Sequence, residues 1–447
     1  MFPLEYLGEG KGDNDLGLLP GEKAVLYYYD ESPNDGEAPN DWAIAGTGTV
    51  SDDGRFIVSD AGVGIPKFCC GATAWGGQSA SLQSSGKDGQ CSLAGDPVDV
   101  STGYFMYEHT DMVIPGMIPV KIKRIYRNRD GGQAVQNTTT GLGAFGKGMY
   151  FEYDWWLGTY SSMLRLTKPG SYQYDFALQG DGSYLNTVDP EFRGAKVTVN
   201  ADSTKTLRMR DGWIYKFNSY GELIEIDDRN SNKVIITRVH GFPDEGGHIS
   251  SITTAEGRII NFNYTYVGGN FIRYDSITDS IGRSIKYTYE TDPFNPYPRL
   301  KEVDYPDTSY IAYGYDSSGR MSTITNGKGV TEVTNVYNSD NRITSQTHPD
   351  GGVYTFNYTV AGGYITQTTM TAPNAAQTTW GFNSYGYITS KTTPDGTTTY
   401  NKAIGTNELL SITDPLNRTT TYTYYSTTDA KNGLVHTVTD PIGNITI

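Results

Sequence analysis

The stretch that decides the fold is Tyr315-Asp316-Ser317-Ser318-Gly319-Arg320-Met321, because its pattern returns along the second half of the chain. The pattern is an aromatic residue, Asp or Asn, two variable residues, Gly or Asn, any residue and an aliphatic residue. It recurs at residues 217–223, 337–343 and 382–388. The step from the quoted stretch to 337–343 is 22 residues, and a period in the low twenties is typical of repeat proteins.

Each repeat is predicted to be a β-hairpin. In Val353-Tyr354-Thr355-Phe356-Asn357-Tyr358-Thr359-Val360, Tyr354, Phe356, Tyr358 and Val360 alternate with polar residues, so they should share one face of a strand. In the turn that follows such a strand, the Asp or Asn side chain bonds nearby backbone, and Gly or Asn accepts a positive φ. The aliphatic residue then begins the return strand.

Compact turns separate the hairpins, as in Pro349-Asp350-Gly351-Gly352 and Asp414-Pro415-Leu416-Asn417. A lone hairpin is marginal in water, so the hairpins should stack side by side into one sheet. A sheet of so many strands coils or closes. The predicted fold class is therefore all-β, with stacked β-hairpin repeats forming a coiled sheet or β-spiral shell, preceded by a small β module.

Composition narrows the possible partners. The 447 residues include 50 acidic and 35 basic residues, a formal net charge of −15, which disfavours nucleic acid and anionic membranes as partners. No apolar run is long enough to span a bilayer, and the first residues do not resemble a signal peptide. Tyr outnumbers Phe by 35 to 15. We expect each repeat Tyr to bury its ring against a neighbouring hairpin while its hydroxyl reaches water or a polar interior.

Four regions are expected along the chain: a small accessory β module at 1–66, a Gly/Ser-rich linker at 67–95, a leading domain at 96–204 and a repeat array at 205–447. All three cysteines, Cys69, Cys70 and Cys91, fall in the linker. Adjacent cysteines rarely bond each other, so a disulfide would join Cys91 to Cys69 or Cys70. Free thiols are the second interpretation, and a metal site is the third because a fourth ligand is missing.

The sequence offers little for catalysis. It holds five histidines and neither a zinc-protease nor a serine-hydrolase motif. His109, next to Glu108 and Asp111, is the best catalytic candidate, but a solvated turn would explain the same residues. Asp227-Asp228 lies in a turn context. We therefore predict no catalytic, cofactor-binding or metal-binding residues, and a protein that is not an enzyme.

The repeat resembles the YD repeat of the Rhs (rearrangement hot spot) family, and residues 315–321 match it best. Upstream, Gly95-Asp96-Pro97-Val98-Asp99-Val100-Ser101-Thr102-Gly103 and residues 119–127 resemble the segment that precedes the repeats in Rhs and wall-associated-type proteins. Residues 143–157 resemble the family's next block, with Met149 where the family tends to have Trp. The resemblance covers residues 95–447, and residues 1–66 resemble an accessory module more weakly.

This resemblance implies a β-spiral shell that encloses a cargo, commonly a toxin domain at the C-terminus of the same polypeptide. Family members release it by self-cleavage near a DPxG-type motif. Asp440-Pro441-Ile442-Gly443 has those letters but matches the turns between hairpins equally well, so we interpret it as a repeat turn. The chain then stops at Ile447 within a repeat, as expected for an N-terminal fragment of a shell protein without its cargo.

We therefore expect a structural shell segment of a bacterial Rhs/YD-repeat protein that encloses and helps deliver a C-terminal toxin cargo. Its partners would be that missing cargo domain, together with secretion machinery or cell-surface glycans. It would be secreted or displayed at the cell surface as part of a longer chain. The alternative is an extracellular carbohydrate-binding or adhesion protein that uses exposed Tyr side chains of the repeats.

Overall fold

The computed structural model describes the strands at 2–3, 23–30, 41–50 and 56–59, and residues 93–95, 97–128, 143–170, 172–189, 191–241, 244–267, 271–291, 298–425 and 433–446. Every regular element in these ranges is a β-strand, so the predicted all-β fold of stacked hairpins is confirmed. The chain forms two compact units, Met1–Ala72 and Thr73–Ile447. The cysteines Cys69, Cys70 and Cys91 lie outside the described residues.

The first unit contains a four-stranded antiparallel sheet in the order β1-β4-β3-β2. Its strands are β1 (Phe2–Pro3), β2 (Lys23–Asp30), β3 (Asp41–Val50) and β4 (Phe56–Ser59).

The second unit begins with a five-stranded sheet whose strands pair in chain order. These strands are β5 (Leu93–Ala94), β6 (Val98–Asp99), β7 (Tyr104–Ile114), β8 (Val120–Arg127) and β9 (Met149–Phe151). We call the described residues between 93 and 151 the docking segment.

The rest of the second unit is one antiparallel sheet of 27 strands that also pair in strict chain order. Its strands are β10 (Trp156–Tyr160), β11 (Met163–Lys168), β12 (Tyr172–Leu178), β13 (Tyr184–Leu185), β14 (Lys196–Val199), β15 (Lys205–Arg208), β16 (Ile214–Phe217), β17 (Leu223–Asp227), β18 (Lys233–Gly241), β19 (Asp244–Thr253), β20 (Ile259–Val267), β21 (Phe271–Thr278), β22 (Ser284–Glu290), β23 (Arg299–Asp304), β24 (Tyr310–Tyr315), β25 (Met321–Asn326), β26 (Thr331–Tyr337), β27 (Ile343–Thr347), β28 (Val353–Ala361), β29 (Tyr364–Thr371), β30 (Gln377–Phe382), β31 (Ile388–Thr393), β32 (Gly396–Lys402), β33 (Leu409–Thr413), β34 (Thr419–Tyr424), β35 (Val435–Thr439) and β36 (Ile445–Thr446). The sheet runs without a break through residue 204, where the sequence suggested the repeat array begins.

The repeat turns form as the turn chemistry predicts. Between β24 and β25, the Asp316 carboxylate accepts hydrogen bonds from the backbone N–H groups of Ser318 and Arg320, each at 2.9 Å. Gly319 takes the left-handed conformation, with φ of 78°. Asp440 accepts in the same way from the N–H groups of Ile442 and Asn444, so residues 440–443 form an ordinary repeat turn.

One face of the long sheet is buried along most of its length, but β-bulges shift the alternation. In β28, Phe356 is buried while Thr355 and Asn357 are exposed, as predicted. Val360 leaves the predicted face and is exposed, because the register with β29 shifts between Thr359 and Val360.

The sheet also curls back on itself. The backbone of Leu157 in β10 donates to the Gly221 carbonyl at 2.7 Å, and Leu223 donates to the Trp155 carbonyl at 3.2 Å. The first strand of the sheet therefore meets the turn between β16 and β17, as expected for a strongly coiled sheet.

Candidate functional site

The candidate site is the buried contact between the docking segment and the long sheet. It forms where strand pairing within the sheet is incomplete. The pairing of β25 with β26 starts only at Thr323, so Met321 at the start of β25 has no backbone partner in β26. The same omission recurs within the first four residues of other return strands. We call these gap residues, and they are Leu223, Tyr274, Leu300, Met321, Ile343 and Leu409.

Side chains from the next hairpin bond the carbonyl groups of the gap residues. The Tyr337 hydroxyl donates to the Met321 carbonyl at 2.6 Å, and the Tyr358 hydroxyl donates to the Ile343 carbonyl at 2.6 Å. Tyr289, Tyr315 and Tyr424 make the same bond, and Arg238 replaces Tyr at Leu223. The repeat Tyr hydroxyls therefore serve buried backbone, and not the water or polar interior expected from the sequence. Burial raises the pKa of Tyr337 and Tyr358, so both remain protonated donors.

Acceptors from the docking segment bond the N–H groups of the same residues. The Met321 N–H donates to the Tyr126 hydroxyl at 2.9 Å, and Tyr126 is fully buried. The Ile343 N–H donates to the Gly103 carbonyl at 2.8 Å, and the Tyr274 N–H donates to the Ala144 carbonyl at 2.8 Å. Because unpaired buried backbone groups are costly, the docking segment and the sheet complete each other.

The motif at 99–103, singled out from the sequence, forms one of these contacts. Both the Asp99 carboxylate and the Arg127 guanidinium are fully buried and lie 3.3 Å apart. Asp99 also accepts from the Ser101 and Thr102 hydroxyls at 2.8 and 2.7 Å. This tight turn presents the Gly103 carbonyl to β27, and the positive φ of Gly103 explains why glycine occupies that place.

A second buried ion pair connects the β7–β8 hairpin to the sheet. Arg124 donates to both Asp111 oxygens at 2.6 and 2.8 Å, and both side chains are fully buried. The Tyr287 and Tyr305 hydroxyls of the long sheet donate to the same carboxylate at 3.0 and 2.8 Å. Burial alone would lower the pKa of Arg124, but the adjacent Asp111 carboxylate raises it well above its ordinary value. Arg124 therefore stays charged, and the pair is hydrogen-bonded on both sides.

His109 lies in the middle of β7, and not in the solvated turn that its sequence context suggested. Its ring lies 6.0 Å from the Tyr107 ring and 5.8 Å from the Tyr305 ring, and its Nε2 atom is 3.9 Å from Asp111. Burial, and then the nearby Arg124, lower the pKa of His109. The imidazole is therefore neutral and packs as an aromatic side chain.

The acidic pair Asp227-Asp228 makes hydrogen bonds and ion pairs that stabilise the fold. Asp228 caps the turn after β17, and Asp227 lies 3.0 Å from the Lys216 amine. Within the described ranges, no group of three or more metal-ligating side chains comes together, and no helix there is long and apolar enough to cross a membrane. Sequence reasoning missed the Asp111–Arg124 pair. Its available signal was the alternation in β8, which places Arg124 on the same face as Val120, Ile122 and Tyr126.

Comparison with known proteins adds a domain match and a set of remote structural similarities. A family model described as a domain of unknown function, DUF6531, matches residues 95–176. No curated protein matches the chain. A crystal structure of TcdB2-TccC3 without its hypervariable C-terminal region is 9% identical, with 75% of this chain and 22% of that chain covered, at a TM-score of 0.33.

Two related structures give similar values. For a crystal structure of TcdB2-TccC3-Cdc42, the identity is 10%, the coverage is 64% of this chain and 19% of that chain, and the TM-score is 0.29. For a Tc holotoxin pore from Photorhabdus luminescens, the identity is 10%, the coverage is 77% and 25%, and the TM-score is 0.27. This chain thus aligns with about a fifth to a quarter of those longer chains. It is an all-β repeat protein of stacked hairpins, with a match to a domain of unknown function over its docking segment and first sheet strands.

Proposed function

We propose that this protein is a structural, non-enzymatic segment of a bacterial Rhs/YD-repeat shell. In this proposal the hairpins form a wall that encloses a C-terminal toxin cargo and helps deliver it. The observation that supports it best is the single antiparallel sheet of 27 strands, whose strands pair in strict chain order. A wall needs this continuity, because every interrupted strand would leave unpaired backbone edges.

The docking segment supports the same proposal. It bonds β21, β25 and β27 from the buried face of the sheet, so it acts as an internal brace for the wall. The buried Asp111–Arg124 and Asp99–Arg127 ion pairs connect β8 to β7 and to β6 within this brace. A brace that is both apolar and hydrogen-bonded would hold a long coiled sheet in one curvature.

The proposal extends to partners and location. The cargo would be a further domain of the same polypeptide, and secretion machinery would carry the assembly to the cell surface or beyond. These assignments rest on the resemblance of the repeat and of residues 95–127 to the Rhs family.

Electron microscopy of the protein encoded by the complete open reading frame tests the proposal. We expect one continuous curved sheet surrounding the further C-terminal domain, and protection of that domain from added protease. A reading frame with no further domain, or a map with separate globules and no enclosed chain, would overturn it.

A carbohydrate-binding function is the second candidate, and one observation favours it. Tyr220 and Tyr385 hold the same place in two identical turn sequences, Phe-Asn-Ser-Tyr-Gly, and both side chains are exposed. Exposed Tyr rings suit stacking on sugars. A glycan array should then give hits that are lost in Tyr220→Ala and Tyr385→Ala variants, and an array without hits would remove this candidate.

A further inference from the structure

Lys168, the last residue of β11, has its charged end inside the protein. Its side chain is 2% exposed. The Nζ atom lies 4.4 Å from the centre of the Trp155 ring and 5.3 Å from that of Phe192. Such an enclosure is mainly aromatic, which is an unusual place for a lysine amine.

The Lys168 amine touches a carboxyl group within this enclosure. Nζ lies 2.5 Å from Oε1 of Glu191, a residue between β13 and β14. The other oxygen, Oε2, accepts a hydrogen bond from the Tyr174 hydroxyl at 2.6 Å. The carboxyl is therefore held between an amine and a hydroxyl donor.

A charged pair is costly in such surroundings, because aromatic walls replace only part of the lost hydration. Burial lowers the pKa of Lys168, and the nearby Glu191 carboxylate opposes that shift only in part. The amine and the carboxyl group that make this contact are the two reactants of amide formation.

A third ionisable group lies near this pair. The backbone carbonyl of Glu152 accepts a hydrogen bond from the Trp155 indole N–H at 2.9 Å, and the charge of the Glu152 side chain acts on the Lys168 amine. Its Oε2 atom is buried and has no hydrogen-bond partner among the described residues. Burial raises the pKa of Glu152, so this carboxyl retains a proton more readily than an exposed glutamate does.

We propose that Lys168 and Glu191 condense into an intramolecular isopeptide bond. The Lys168 nitrogen attacks the Glu191 carboxyl carbon, and Tyr174 donates to the oxygen that gains negative charge. Glu152 gives its proton to the departing hydroxyl group and takes one from the nitrogen, so an amide forms and one water leaves. The Glu191 side chain is 30% exposed, which gives that water an exit.

The bond would join β11 to the segment before β14, across 23 residues of chain. It would close this part of the sheet covalently, in the way that a disulfide closes a loop. Such a bond also survives reducing conditions, unlike a disulfide.

Intact-mass spectrometry of the purified full-length protein tests this inference. The wild-type mass should fall below the sequence mass by one water molecule, and fragmentation of a proteolytic digest should identify a linked peptide containing Lys168 and Glu191. A mass equal to the sequence mass, with both residues in separate peptides, would leave an ordinary ion pair and overturn the proposal.

Variants separate the chemistry from folding. Lys168→Met should show no mass loss, whereas Glu191→Gln offers an amide and should lose ammonia in place of water. Glu152→Gln should keep the contact between Lys168 and Glu191 but yield unlinked protein.

Lys196→Met is the matched control, because Lys196 forms an exposed pair with Asp181 at 2.7 Å. It should retain the loss of one water, and its failure to do so would contradict the assignment.

Discussion

At the scale of single residues, the excess of Tyr over Phe follows from the backbone of the sheet. At a gap residue such as Met321, the carbonyl is buried and has no backbone partner in the next strand. The Tyr337 ring fills the core position and its hydroxyl bonds that carbonyl. The Arg320 guanidinium then lies 4.6 Å above the same ring, which adds a cation–π contact. Phe would fill the space without the bond.

Replacing Tyr337 with Phe tests this role. The variant leaves the Met321 carbonyl with only the longer bond from the Asn335 amide at 3.3 Å, so we expect a loss of about 0.5–1.5 kcal/mol in the free energy of unfolding. Chemical denaturation followed by circular dichroism measures it. Tyr220→Phe is the control, because Tyr220 is exposed and should change stability by less than about 0.5 kcal/mol. Equal stability of both variants would contradict this role.

The buried Asp111–Arg124 pair makes a second residue-scale prediction. Asp111→Ala leaves the Arg124 charge buried without its partner, so the loss should be about 3–5 kcal/mol. The double variant Asp111→Leu, Arg124→Met removes both charges and should regain part of that loss. Thermal denaturation of the two variants measures these losses. A double variant less stable than Asp111→Ala would contradict the cost assigned to an unpaired buried charge.

At the scale of elements, each hairpin is bonded to its neighbours through turns as well as through strands. The Arg320 side chain extends from the turn between β24 and β25 to the turn between β26 and β27. There it donates to the Asn338 carbonyl at 2.9 Å and to Asn341 Oδ1 at 3.0 Å. The turn between β7 and β8 of the docking segment also bonds a turn of the long sheet, the one between β19 and β20. Its Met117 N–H donates to the Glu256 carboxylate at 2.6 Å. Turns thus add contacts beyond strand pairing, both between neighbouring hairpins and between the docking segment and the long sheet.

The contact between Met117 and Glu256 should depend on pH. The bond from the Met117 N–H is the main cause that lowers the Glu256 pKa from 4.5 to about 2. Because the folded pKa is depressed, the stabilisation is complete above pH 4.5 and is lost as the pH falls towards 2. Hydrogen exchange of the Met117 amide should accelerate across this window, after correction for intrinsic rates. Glu256→Gln should remove the dependence, and a wild-type profile that is flat would contradict it.

At the scale of the whole second unit, the sheet returns close to its own beginning. Arg193, between β13 and β14, donates to the Thr406 carbonyl at 2.9 Å, and its guanidinium lies 3.9 Å from Glu408. Arg193 and Thr406 are 213 residues apart in the sequence. Their hydrogen bond therefore connects segments near the two ends of the sheet. Arg193 thus joins two segments of the sheet that are far apart in the order of strands.

Removal of this contact should loosen the coil locally. Arg193→Ala loses a charge-assisted bond worth about 1.5–3 kcal/mol, so hydrogen exchange in residues 403–408 should accelerate about tenfold or more. Lys196→Ala serves as the control, since Lys196 pairs only at the exposed surface. Unchanged exchange in the Arg193 variant would show that the coil does not depend on this residue.

Much of the second unit could be read from the sequence because its rules are local. The turn at 316–320 follows from Asp at its start and Gly in the left-handed position, and Asp440 was recognised as the same kind of turn. Val360 was misplaced, because a bulge shifts the alternation within β28. The extent of the sheet before residue 205 was missed, because β10–β14 lack the repeat pattern. The buried Asp111–Arg124 pair escaped because Asp111 looked solvated in its own sequence context.

The sequence by itself determined that this protein is a stack of β-hairpins, since strand alternation and turn chemistry act over a few neighbouring residues. The tertiary structure alone decided what completes those hairpins. Tyr126 reaches Met321 across 195 residues, and Thr368 reaches the Val100 carbonyl across 268 residues. No local pattern specifies such pairs, because they depend on how the coiled sheet closes around the docking segment and on which backbone groups that closure leaves without partners.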